Sequence, residues 1–169
     1  GEGEDIITIY SKISRSPFSG VVPIAVTNEI DGSKGVIATS PETIAPCIIN
    51  GKSVFIRGVL PQELSKLNPL TLIQGDTLNL NDTNSAIIGK SLSERLNLKT
   101  GDKIILLSVL SEKYVQLQVK GVFQSHSSLD DEAIVPIYIG QWLRGVSYNE
   151  VTFVRAKINL EQTSANQLY

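Results

Sequence analysis

Cysteine, histidine and tryptophan each occur once in this chain of 169 residues, and methionine is absent. A lone thiol cannot close an internal disulfide. Cys47 sits in the apolar setting Ile44-Ala45-Pro46-Cys47-Ile48-Ile49, with no basic neighbour to lower its pKa. It reads as a small buried apolar side chain, not a nucleophile. The single imidazole, His126, is too little for a structural metal site, and the acidic run Asp130-Asp131-Glu132 lacks the spacing of a calcium loop. No apolar run approaches the ~20 residues of a membrane span, and no signal peptide is present. With no methionine and a glycine at position 1, the chain reads as a processed protein or an excised piece of a longer one.

Charge is scarce too. Charged residues make up 19% of the chain, and 15 Lys and Arg are scattered among 17 Asp and Glu, for a formal net charge of -2. The clustered basic face that grips a nucleic-acid backbone is therefore missing, and no nucleic-acid partner is expected. Glycine-rich phosphate cradles are missing as well. Gly1-Glu2-Gly3 precedes any strand, and Gly32 and Gly35 lead into a strand where a cradle leads into a helix. No cofactor is expected.

What remains is a globular balance, 41% hydrophobic, enough for one core or two small lobes sharing strands. Residues 1–5 read as a tail and Ile6–Tyr10 as a first strand. Val21–Ile30 reads as a helix with Pro23 in its first turn. Val36–Ser40 reads as a second strand stopped by Pro41. Asn50-Gly51 is the strongest hairpin signal, between Ala45–Ile49 and Ser53–Val59. Pro61–Leu67 opens with proline at the first helical position, Leu70–Ile73 suits an edge strand, and Asp76–Asn84 is a polar excursion.

The most ordered text runs from Ala86 to Leu107: a short strand, a turn at Gly89, a helix, a Gly101-Asp102 turn and a long strand. Ser91 with Glu94 three residues on reads as a capping box, with Leu92 and Leu96 on one buried face and Leu96 its anchor. Lys103–Leu107 reads as a well-buried strand. Tyr114–Lys120 alternates cleanly and continues past a bend at Gly121. Ala133–Ile139 is a strand broken by Pro136, Gly140–Arg144 a single helical turn, Glu150–Ile158 the last strand, and residues 159–169 a polar tail. The class is α+β, with residues 1–44 and 119–169 as an outer unit and 45–118 as an inserted β-rich lobe.

Only Ser125-His126-Ser127 with Asp130 resembles a catalytic grouping. Triads are assembled from distant segments around a strained nucleophile, and here the residues share one polar loop with no G-x-S-x-G elbow. The loop reads as solvated surface, and no catalytic residue is assigned. Trp142 suits core or lid packing, or an exposed anchor for a partner.

Taken in order, the stretch from Ile87 to Ile104, the strand Val54–Gly58 ending in glycine, Gly75, Val119–Ser125, Asp130 or Asp131 with Val135-Pro136-Ile137, and Gln141-Trp142-Leu143 resemble a known pattern. It is the extracytoplasmic core domain of MacB-like ABC transporter permeases, the class that includes FtsX and the lipoprotein-releasing permeases. The resemblance covers about residues 20 to 158. Its signature falls on Gly58, Gly75, Gly89, Ser91, Glu94, Leu96, Gly101, Asp102 and Gly121. Departures occur at Ser93, His126 and Asp76. No long extra hairpin of the kind that grips a lipoprotein chaperone is present, which tells against a lipoprotein-handling role.

The resemblance implies a porter-like βαβ unit with a smaller β-rich lobe inserted, placed on the extracytoplasmic side of the cell membrane. It implies a non-catalytic domain coupled to a cytoplasmic partner ATPase, paired with a second permease copy, and open to an accessory or cargo protein. Contacts are expected at Ser128, Asp130, Asp131, Trp142 and Arg144. Two other readings stand beside it. One is a small barrel-type module binding a ligand or nucleic acid. The other is a hydrolase using Ser125, His126 and Asp130.

Overall fold

The computed structural model describes residues 3–161, so the expected C-terminal tail falls outside them from position 162 on. Strand β1 (Glu4–Ile9) begins inside the expected N-terminal tail. The expected helix from Val21 splits into β2 (Val22–Pro23) and α1 (Val26–Asp31). Val22 is drawn into a strand because it pairs with Val151, and both side chains are buried. Burial of a β-branched pair outweighs weak helical spacing.

The largest departure is β3 (Val36–Ile49), 14 residues long and running through both Pro41 and Pro46. Pro41 does not stop it. It lies where β3 changes neighbours, so its missing N–H falls near the end of a ladder. The Asn50-Gly51 turn then leads into β4 (Lys52–Val59), both turn residues at positive φ as such a hairpin requires.

Helix α2 (Pro61–Leu67) starts on its proline, and β5 (Thr71–Gly75) is an exposed edge strand. Next come β6 (Ser85–Gly89), α3 (Lys90–Leu96), β7 (Lys103–Ser108) and β8 (Tyr114–Gln124). A 3-10 turn at Ser128–Asp131 precedes β9 (Glu132–Pro136). Helix α4 (Ile137–Arg144) begins directly after Pro136 and is two turns long where one was expected. The chain closes with β10 (Glu150–Val151) and β11 (Phe153–Asn159).

β1, β11 and the first half of β3 form an antiparallel outer sheet, with β11 along Val36–Glu42 and β4 along Glu42–Ile49. The second half of β3 belongs to a closed ring: β3, β4, β9, β6, β8, β7 and back to β3. That is a six-stranded barrel with its own core, including Ile49, Ile56, Ile88, Leu106 and Leu117, plugged by Leu92 of α3 and Leu143 of α4. A second core lies under the outer sheet around Ile9, Ile30, Val154 and Ile158, and a third beneath α2 around Leu64, Leu78 and Phe123. Positions 44/45 and 118/119, the expected lobe boundaries, fall inside the unbroken strands β3 and β8.

β7 is not buried on both sides as expected. Its residues alternate, with Ile104, Leu106 and Ser108 inside and Lys103, Ile105 and Leu107 outside. β8 bends as expected, its register against β6 shifting beside Gly121.

Candidate functional site

The Ser125–Glu132 loop is organised by Asp130. This carboxylate is buried and accepts from the Ser125 amide at 2.7 Å, the Ser125 hydroxyl at 2.8 Å and the His126 amide at 2.9 Å. Ser125 is thus bonded to the acid, and His126 reaches Asp130 only through its backbone, at a φ of 57°. The order needed for proton relay, serine to imidazole to carboxylate, is absent. The loop is a carboxylate-stapled turn. Among the described residues no group of three or more His, Cys, Asp or Glu is placed to hold a metal ion. Burial pushes the Cys47 thiol up to about 12, which leaves it protonated and inert.

The expected contact residues divide. Asp130 faces inward. Asp131 is exposed but pairs with Arg95 at 3.0 Å. Arg144 donates to the carbonyls of Phe18, Ile44 and Gly20 at 2.9–3.0 Å, tying the loop before β2 to β3. Partial burial pulls its pKa down. Ser128 is exposed, and so is much of Trp142, whose ring carries the Lys113 ammonium 4.3 Å from its centroid.

The signature residues fall on α3, on the turn after it and at close backbone contacts. The Ser91–Glu94 capping box does not form: α3 starts two residues earlier, with extended Gly89 as N-cap and no side-chain cap. Ser91 therefore sits inside the first turn, and both it and Glu94 are exposed. The helix ends at Asn97, left-handed at φ 54°, which the sequence reading missed. Leu96 is only partly buried, and Leu92 is the fully buried anchor. Asp102 accepts from the Lys99 amide at 2.9 Å and closes the turn at Gly101. Gly75 and Gly121 lie backbone against backbone across the β5–β8 pair, and Gly89 lies against the backbone of Asp130. Gly58 lies against Gly140. A Cβ on Gly58 would stand 2.8 Å from the Gly140 Cα, so the absence of side chains is what seats α4 on β4.

Sequence reasoning missed the principal polar feature, a buried ion network where barrel and outer sheet meet. Glu42 (β3) is fully buried and pairs with Arg57 (β4) and with Arg155 (β11), the latter through two bonds of 2.9 Å. Arg57 also grips Glu132 (β9) with bonds of 2.7 and 3.0 Å, and its guanidinium lies over the Phe153 ring. Ser40 donates to Glu42 at 2.7 Å. Burial alone pushes the Glu42 carboxyl up, but Arg57 and Arg155 more than offset this and hold it below the usual carboxylate range. Burial likewise disfavours charge on Arg57, and the carboxylates of Glu132 and Glu42 reverse the effect. Four strands are cross-tied by two carboxylates and two guanidinium groups, with no charge left over. The signal was present as single charged residues inside apolar strands, in Val54-Phe55-Ile56-Arg57 and in Phe153-Val154-Arg155-Ala156.

The sequence matches the family model of the MacB-like periplasmic core domain over residues 2–167. The chain therefore belongs to that family, the extracytoplasmic domains of MacB- and FtsX-type ABC transporter permeases, and like them it is non-catalytic. Two solved structures share the fold. The extracellular domain of the noncanonic ABC-type transporter YknZ from Gram-positive bacteria superposes with a TM-score of 0.64 at 17% identity, over 96% of this chain and 84% of that one. The periplasmic region of MacB from Actinobacillus actinomycetemcomitans gives 0.66 at 15% identity, over 98% and 78%. No curated protein sequence matches the chain significantly. Among the described residues no helix is long and apolar enough to cross a membrane.

Proposed function

We propose that this domain is a rigid transmission element that couples ATP hydrolysis by a cytoplasmic partner ATPase to export, or to mechanical signalling, outside the membrane. The observation that carries the reading is the course of β3. Its 14 residues, roughly 45 Å at about 3.3 Å per residue, run unbroken from the outer sheet into the barrel wall. Glu4 of β1 pairs with Asn159 of β11, so both end strands leave the sheet side by side, at the end away from the barrel. Displacement of that end is carried to the barrel along one strand. The Glu42–Arg57–Glu132–Arg155 network resists shear at the point where β3 changes partners. A two-state partner contact at the far end would complete the device. The permease works as a pair of copies, with an accessory or cargo protein as the outside partner.

The test is coupling in the intact permease with its ATPase. Glu42→Gln should leave ATP hydrolysis running while reducing export or signalling output several-fold. Unchanged output from a folded Glu42→Gln permease would remove the transmission role from the network.

A further inference from the structure

One wall of the barrel is apolar on its outer side. Phe55 of β4 stands opposite Pro46 of β3, and Leu107 of β7 stands between Ile48 of β3 and Tyr114 of β8. Ile105 and Val109 extend the same row. Phe55, Ile105 and Tyr114 are 55%, 56% and 69% exposed, and a cleft of about 630 Å³ opens beside Phe55 and Val109. This is the outer half of the strand whose sequence suggested burial on both faces. On a monomer, scattered exposed apolar residues need no account, but a contiguous patch of more than a few hundred Å² marks a contact surface.

We infer that this wall is a weak self-pairing surface, where a second copy of the chain docks about a two-fold axis. Three features select that occupant. First, the area is of the right size: about half-exposed Phe, Ile, Leu, Val and Tyr side chains leave on the order of 600 Å² open, short of the ~800 Å² per partner that an autonomous interface buries. A contact of that size holds only when the copies are tethered, which is where the inference rests on the permease reading.

Second, the row itself carries no charge, so its juxtaposition with itself brings no like charges together. Third, its ends are complementary. Lys103 points outward at the start of β7, and Glu112 is exposed in the turn after it; among the described residues neither makes an ion pair. A two-fold axis lying between two such walls and crossing β7 at a right angle reverses the strand. It thereby brings Lys103 of each copy to Glu112 of the other, the self-complementary pattern of an isologous interface.

The test is made on the 169-residue chain by sedimentation equilibrium and amide shift mapping, up to about millimolar concentration, the range that tethering supplies. A concentration-dependent dimer is expected, with shifts confined to β7, Tyr114 and Phe55, and Leu107→Asp should abolish it. Lys103→Glu and Glu112→Lys should each weaken pairing several-fold, and the double reversal should restore it. These last variants change only exposed side chains, so they separate loss of contact from loss of fold. A chain that stays monomeric, shifts mapping elsewhere, or a double reversal that fails to rescue would overturn the inference. So would a wall protected only when an accessory protein is added. No ATPase takes part, so failure here leaves the coupling experiment on Glu42 to be decided separately.

Discussion

Helix α3 shows how one residue's place in a turn changes its energetic weight. Leu92 is fully buried at the mouth of the barrel, and Leu96 is only packed against that core. Leu92→Ala is expected to cost about 2–5 kcal/mol, the range for a deleted core side chain whose site relaxes incompletely. Leu96→Ala should cost clearly less, and Ser91→Ala within about 0.5 kcal/mol, since the serine caps nothing. Denaturant midpoints of the three variants give the order directly. A Ser91→Ala loss of about 1 kcal/mol or more would mean the cap forms after all.

Glu42 is the other residue whose setting decides its effect. Its folded pKa lies below the ordinary value of 4.5, because two guanidinium groups outweigh the cost of burial. A depressed carboxylate contributes stability that is present above the unfolded pKa and lost as pH falls through the folded one. The chain should therefore lose stability progressively below about pH 4.5. Glu42→Gln should flatten that acid limb while lowering stability at neutral pH by about 3 kcal/mol, because Arg57 and Arg155 lose their shared partner. Urea melts between neutral and acid pH would show both effects. A parallel pH dependence in wild type and variant would contradict this reading of the network.

At the scale of elements, local chemistry was readable and long-range pairing was not. The Asn50-Gly51 hairpin, the proline start of α2 and the alternating β8 are written in neighbouring residues, and all three form. The ends of β3 and α4 are not. Pro41 reads locally as a stop, yet β3 continues because a different strand takes over the pairing there. α4 gains a turn because Gly140 lets its backbone settle on Gly58. The capping box failed for the same reason: β6 feeds straight into α3 at Gly89, which moves the helix start by two residues. The ion network needs four strands that meet only through the fold, so the sequence shows its members but not their meeting.

The Gly58–Gly140 seat makes its own prediction. Gly140→Ala places a Cβ 2.7 Å from the Gly58 Cα, backbone against backbone, so α4 must lift from the sheet. Overpacking of that kind costs about 1–3 kcal/mol. The control is Gly32→Ala, whose Cβ would meet no atom closer than 3.8 Å and whose φ of -81° suits alanine. Thermal melts should separate the two clearly. Equal melting points would mean that α4 adjusts freely and is not seated by its glycine.

For the whole molecule the decisive question is whether barrel and outer sheet behave as one body. Each has its own core, which would allow them to unfold separately. Against this, β3 is common to both: the segment Val36–Glu42 that pairs with β11 continues without a break into the segment Glu42–Ile49 that pairs with β4 in the barrel wall. Arg144 adds a second tie by holding the loop before β2 to the Ile44 carbonyl. The network adds a third, since Arg57 and Glu132 of the barrel are bonded through Glu42 to Arg155 of the outer sheet. Wild-type protein should therefore melt in a single transition whose calorimetric and van't Hoff enthalpies agree. Amides of β3 on either side of Glu42 should exchange at similar rates, as members of one cooperative unit. Cutting the side-chain ties with Glu42→Gln and Arg144→Leu together should split the melt, with the outer sheet opening first because it is the thinner layer. Protection would then fall over Val36–Pro41 and persist over Ala45–Ile49. Two resolved transitions in the wild-type chain would show that β3 alone cannot join the lobes, and would leave the domain a hinge instead of a lever.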